Sequence, residues 1–232
     1  MWTRKELKEK GKGALKRNYW KCVLMAVILH AITFGASASF SAEEGDSKLL
    51  NQLSEASGIS VGALIGIFAG IGLSVILISI LWHIFLTIPL STGVDRFFIV
   101  NTEDKAGLGE IGYSYKKERL FKTIGATLLV DLFVALWTIL LIVPGIIKAY
   151  EYRMVSYILA DDPQLSAMDC LRRSKEMMKG HKWNTFVLDL SFIGWELLST
   201  ITCGVAGVFY VNPYFQATNA ELYKELKKGM EA

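Results

Sequence analysis

At 232 residues, with 52% hydrophobic residues and a net charge of only +3, the chain is more apolar than a globular domain usually is. No basic domain with interleaved aromatics accompanies that charge, which argues against nucleic acid as a partner. Cys22, Cys170 and Cys203 are isolated and odd in number, offering neither a disulfide framework nor zinc-ligand spacing.

The charge is clustered. Of the 25 Lys and Arg residues, all but Lys48, Lys148 and Arg153 fall within 1–21, 96–122, 172–182 and 224–228. Short cytoplasmic loops of membrane proteins carry such an excess, so all four clusters are expected on the cytoplasmic side, with an even number of membrane spans between each pair. Between Glu55 and Asp95, 39 consecutive residues lack Asp, Glu, Lys and Arg, about twice the ~20 needed to cross a ~30 Å hydrocarbon core.

In chain order, residues 1–21 read as a cytoplasmic amphipathic helix along the membrane surface. Thr3 is its N-cap, Glu6 completes a capping box, and Trp2 against Leu7 forms a hydrophobic staple. The first span covers 22–40, with Tyr19 and Trp20 at the inner interface. Ala36-Ser37-Ala38 mimics a signal-peptide cleavage site, but the long basic region before the apolar run favours retention as a span. Residues 41–58, with four acidic residues against Lys48, read as an outside loop. The second span, 59–90, is long enough to tilt and emerge as a cytoplasmic helix ending near Val100, with Pro89 a site for a kink.

A polar connection, 101–118, leads to the third span, 120–143, which Pro144-Gly145 ends at the outer face. The fourth span, 146–160, carries Lys148, Glu151 and Arg153 and is required by the parity of the basic clusters. Asp162-Pro163 then opens an interfacial cytoplasmic helix, 164–179, with Leu165, Met168, Cys170 and Leu171 along one side and the basic residues along the other. Spans 183–202 and 204–223 follow, and the basic tail returns to the cytoplasm. The expected fold is all-α: one polytopic bundle of six transmembrane helices plus the interfacial helix.

Three patterns invite a functional reading. Gly107-Leu108-Gly109-Glu110-Ile111-Gly112 matches the dinucleotide fingerprint, but no strand of a βαβ unit precedes it, so it reads as a flexible connection. Gly62, Gly66, Gly70 and Ser74 form a small-residue stripe on the second span that predicts close helix packing, within the bundle or between two copies. The ionisable groups Asp131, Glu151, Arg153, Asp189 and Glu196 fall within spans, where each is costly unless paired or hydrated. Counting ~1.5 Å per residue from the outer turns sets Arg153 level with Glu196, with Asp131 and Asp189 deeper. Asp189 and Glu196, seven apart on one span, face the same way. A structural network is the first reading, a hydrated ion or proton path the second, and a catalytic carboxylate pair the third. No residue has a recognisable nucleophile setting, and His30 and His83 lack the spacing of metal ligands.

Val143-Pro144-Gly145-Ile146-Ile147-Lys148-Ala149-Tyr150, Tyr157-Ile158-Leu159-Ala160-Asp161-Asp162-Pro163, Ser174 to Trp183, Leu190-Ser191-Phe192-Ile193-Gly194-Trp195 and Asn212-Pro213-Tyr214 together resemble a family of bacterial integral membrane proteins catalogued as domain of unknown function 975. The likeness runs from about Thr3 to Leu226. More distantly, the chain is similar to the membrane domain attached to some glycerophosphodiester phosphodiesterases, without room for their catalytic domain. The resemblance implies a fold and a place in the bacterial cytoplasmic membrane, and no catalytic residue. The expectation is therefore a multi-pass protein with both termini cytoplasmic, no cofactor and no enzymatic activity. It contacts the lipid bilayer and a membrane-protein partner or a second copy; the alternative is a transporter or channel for an ion, proton or amphipathic small molecule.

Overall fold

The computed structural model describes residues 2–37 and 47–231. Helices and turns account for all the regular structure there, with no strand among the described residues. The α-helices are α1 (Arg4–Arg17), α2 (Tyr19–Ser37), α3 (Ser47–Ser57), α4 (Val61–Trp82), α5 (Ile88–Glu103), α6 (Lys117–Leu140), α7 (Ile142–Tyr152), α8 (Val155–Asp161), α9 (Ala167–Met177), α10 (Lys182–Leu190), α11 (Ile193–Ile201) and α12 (Asn212–Glu231). Residues Met1–Ala31 with Ile88–Ala232 form one compact unit, and Ile32–Thr87 a second.

In the first unit the core lies where α1, α5, α8, α9 and α12 meet, around Leu7, Leu15, Phe97, Phe98, Met154, Ile158, Met178 and Leu222. The Thr3 N-cap is present, its hydroxyl accepting from the Glu6 N–H at 3.3 Å; the Glu6 carboxylate meets Lys10 one turn on, at 3.0 Å. Contrary to the expected surface helix, α1 docks its apolar stripe on α12. Gly11 lies so close to Thr218 that a Cβ would come within 2.9 Å of its Cα, and the Tyr214 hydroxyl donates to the Lys8 carbonyl at 3.2 Å. Asn101, fully buried on α5, ties in the α1–α2 junction: its amide donates to the Ala14 carbonyl at 2.9 Å, and its side-chain oxygen accepts from Asn18 at 3.0 Å.

The expected interfacial helix is also packed inward. Ser166, not Asp162, caps α9, and Cys170, Leu171, Ser174 and Met177 are buried, while Met168 is exposed. Gly107–Gly112 is ordered too: residues Leu108–Tyr115 form a 3₁₀ segment against α5, made possible because Gly93 has no side chain facing the Ile111 carbonyl. At the far end of α8, Arg96 and Lys227 approach Asp161 at 3.3 and 2.5 Å and the Tyr223 hydroxyl donates to it at 2.9 Å. Burial alone would raise the Asp161 carboxyl, yet the hydrogen bonds from Lys227 and Tyr223 hold it below its ordinary range.

Two helical runs loosen to π-helix, at His83–Thr87 and Gly207–Val211, each ending two residues before a proline, Pro89 and Pro213. Proline has no N–H to donate one turn back, which frees a carbonyl and widens the turn. At the second site the freed Phe209 carbonyl accepts from the Tyr19 hydroxyl at 2.9 Å. The hairpin expected at Pro144-Gly145 turns at Leu141 instead, whose extended backbone separates α6 from α7. Pro144 falls in the first turn of α7, where its missing N–H costs nothing, and Gly145 lets α7 approach Thr138.

In the second unit, part of the expected outside loop is helical, α3; residues 41–46 of that loop and 38–40 of the expected first span lie outside the described residues. Gly58, at φ +70°, ends α3 and Ser60 caps α4. Among the described residues of both units, two helical runs, Val61–Glu103 and Glu118–Leu140, are long and apolar enough to cross a membrane, and only 6% and 17% of their most apolar windows are buried.

Candidate functional site: charge clusters at the α7–α8 break

The run from Ile142 to Asp161 is interrupted at Arg153-Met154, where no Gly or Pro stands. The cause is tertiary. The fully buried Ser174 of α9 inserts its hydroxyl, which donates to the Glu151 carbonyl at 2.8 Å and accepts from the Met154 N–H at 3.2 Å. A side chain entering the backbone ladder is a standard cause of such a break, and here it turns Glu151 and Arg153 toward different partners.

Arg153 grips Asp189 of α10 with both terminal nitrogens, at 2.5 and 2.9 Å. The second nitrogen also donates to the Asn219 side-chain oxygen at 2.8 Å, and the Tyr150 hydroxyl donates to Asp189 at 2.8 Å. Asn219 is fixed in turn, donating to the Phe215 carbonyl at 3.1 Å. The Arg153 guanidinium lies over the rings of Tyr150 and Phe215. Bidentate geometry plus a third acceptor satisfies an arginine well, and the pair is only 20% and 24% exposed.

Glu151 is buried, its side chain 5% exposed, and three lysines converge on it: Lys148 of α7 at 3.1 Å, Lys175 of α9 at 3.7 Å and Lys182 of α10 at 2.7 Å. Lys148 also sits over the rings of Trp137 and Tyr152.

The structure thus brings together Arg153 and Asp189 and gives Glu151 a cluster of its own. It does not pair Arg153 with Glu196, which is exposed on α11 and forms no ion pair among the described residues. The depth count assumed straight helices, but α10 and α11 are separated by a turn at Ser191-Phe192, so Asp189 and Glu196 do not share one helix. Asp131 lies exposed on α6. Gly62, Gly66 and Gly70 face open space, and Ser74 donates to the Gly70 carbonyl at 2.9 Å; the stripe packs against nothing at these glycines, contrary to the expected packing inside the bundle. Tyr150, Asn219 and the lysine trio were not singled out by sequence. The isolated Lys148, apart from every basic cluster, was the available signal. Among the described residues no group of three or more His, Cys, Asp or Glu could hold a metal.

Residues 138–229 match the family model described as Protein of unknown function (DUF975). The resemblance to that family therefore holds across α7 to α12, which supply both clusters. No curated protein and no solved structure matches the chain, and the more distant likeness to glycerophosphodiester phosphodiesterases has no match behind it.

Proposed function

We propose that this chain is a multi-pass module of the bacterial cytoplasmic membrane that contacts lipid or a membrane-protein partner and carries out no reaction. One observation carries the reading: the placement of apolar side chains. Helices α1, α5, α8, α9 and α12 bury theirs in a common core, whereas α4 and α6 through α7 leave Ile67, Ile76, Ile78, Leu132, Ile139 and Ile142 exposed. A core helix of a soluble protein would be mostly buried, and an exposed apolar surface of this extent needs a cover that hydrocarbon supplies. Six crossings with both termini cytoplasmic satisfy the four basic clusters. The bidentate carboxylate and the third acceptor on Arg153 favour a structural role over a hydrated ion path.

A second arrangement of one hairpin is favoured by the Lys182–Glu151 contact. If Lys182 marks the cytoplasmic boundary, α7 extends only about 14 Å beyond it from Glu151 to Ile142, at 1.5 Å per residue. That is under half a bilayer core, so α6–α7 would enter and return on the cytoplasmic side, leaving the parity unchanged. Extraction tests the membrane reading itself. Membranes washed with alkaline carbonate should retain the protein in the pellet, and its release into the supernatant would refute membrane integration.

A further inference from the structure

We infer that the three lysines around Glu151 form a binding site for the phosphate of an anionic phospholipid headgroup in the cytoplasmic leaflet. This rests on the membrane reading and names the ligand for it. Lys148, Lys175 and Lys182 set three positive charges against one carboxylate. Most of their N–H donors remain free for another acceptor. The ammoniums are reachable, the Lys175 and Lys182 side chains being 64% and 32% exposed. Glu151 holds them together from beneath, its buried carboxylate meeting all three ammoniums.

The surroundings fit a lipid better than a free anion. Trp183, next to Lys182, is 71% exposed, and Ile146 and Ile147 lie exposed just before Lys148. An exposed indole one residue from a cationic cluster, with exposed isoleucines just before Lys148, is the pattern of a headgroup level, with the acyl chains running along the apolar side. The lysines come from α7, α9 and the start of α10, so a bound headgroup would bridge the segments that meet at the α7–α8 break.

The test uses the full chain in neutral detergent, with thermal unfolding followed by tryptophan fluorescence. Dioleoylphosphatidylglycerol should raise the unfolding temperature, while dioleoylphosphatidylcholine and inorganic phosphate at the same concentration should not. Each lysine removed should weaken the response to phosphatidylglycerol about fivefold, the equivalent of ~1 kcal/mol per basic residue near an anionic surface. Lys175→Gln with Lys182→Gln therefore loses about 25-fold by the same scale, and the charge-matched control Lys12→Gln with Lys105→Gln keeps the wild-type response. Should the double variant fail to fold, Lys175→Gln alone reads the same effect, because that ammonium is the most exposed of the three. Unchanged affinity in the site variants, an equal loss in the control, or a phosphate response matching that of the lipid would each overturn the site. Carbonate extraction separates the two claims: a protein that stays in the membrane but ignores phosphatidylglycerol fails only here.

Discussion

Asp189→Asn is expected to lower stability in detergent by about 2–4 kcal/mol, somewhat under the usual cost of breaking a buried pair because both side chains retain some exposure. The substitution removes the charge that the Arg153 guanidinium grips through two nitrogens and leaves it only neutral side-chain acceptors, one amide oxygen at position 189 and that of Asn219. Arg153→Met should cost a similar amount. Combining Arg153→Met with Asp189→Leu should recover more than half of the summed loss, since no charge is then left without its partner. Recovery stays incomplete because the Tyr150 hydroxyl and the Asn219 oxygen also lose their partners. Strictly additive losses in chemical denaturation would show that the pair does not interact. Glu196→Gln, at an exposed position without an ion pair among the described residues, should be silent in the same assay.

Gly93→Ala is expected to be the most damaging single methyl in the protein. A Cβ there would lie 2.1 Å from the Ile111 carbonyl oxygen and 2.9 Å from the Ile111 Cα. Those are backbone atoms that cannot rotate aside, so α5 and the 3₁₀ segment must separate. The expected loss is about 3 kcal/mol or more, at the upper end for overpacking, with faster proteolysis around Lys105 and Lys116 as the segment comes away. The contrast is Gly66→Ile, a far larger change on a helix whose Cβ would meet nothing. It should leave the stability of the chain within about 0.5 kcal/mol. Equal thermal stability of Gly93→Ala and wild type would contradict the packing of the 3₁₀ segment.

The all-helical fold was legible because the apolar runs are long and the local signals strong. Thr3 caps α1 where its sequence context predicts, and the apolar block after Ser60 forms a continuous helix. Local rules did less well where a distant side chain decides. Nothing within 150–156 announces the α7–α8 break, which the Ser174 hydroxyl makes from twenty residues away. That break, and the turn at Ser191-Phe192, defeat an estimate of depth by counting residues across them. Arg153 consequently meets Asp189 and not Glu196, and Glu151, expected within the fourth span, gathers lysines from a segment predicted to be cytoplasmic. The amphipathic patterns of α1 and α9 were real, but a periodic stripe does not say whether lipid or protein covers it; here α12 and the common core do.

The proposed path of the chain through the bilayer is tested most directly by labelling single cysteines in intact cells with a membrane-impermeant maleimide, on a background lacking Cys22, Cys170 and Cys203. A cysteine at Ser47 should be labelled from outside, and none at Lys105, Arg172 or Lys227 should react until the membrane is permeabilised. A cysteine at Val143 distinguishes a crossing α6–α7 hairpin, labelled from outside, from one that returns. Labelling of Arg172→Cys in intact cells, with Ser47→Cys silent, would contradict the proposed topology.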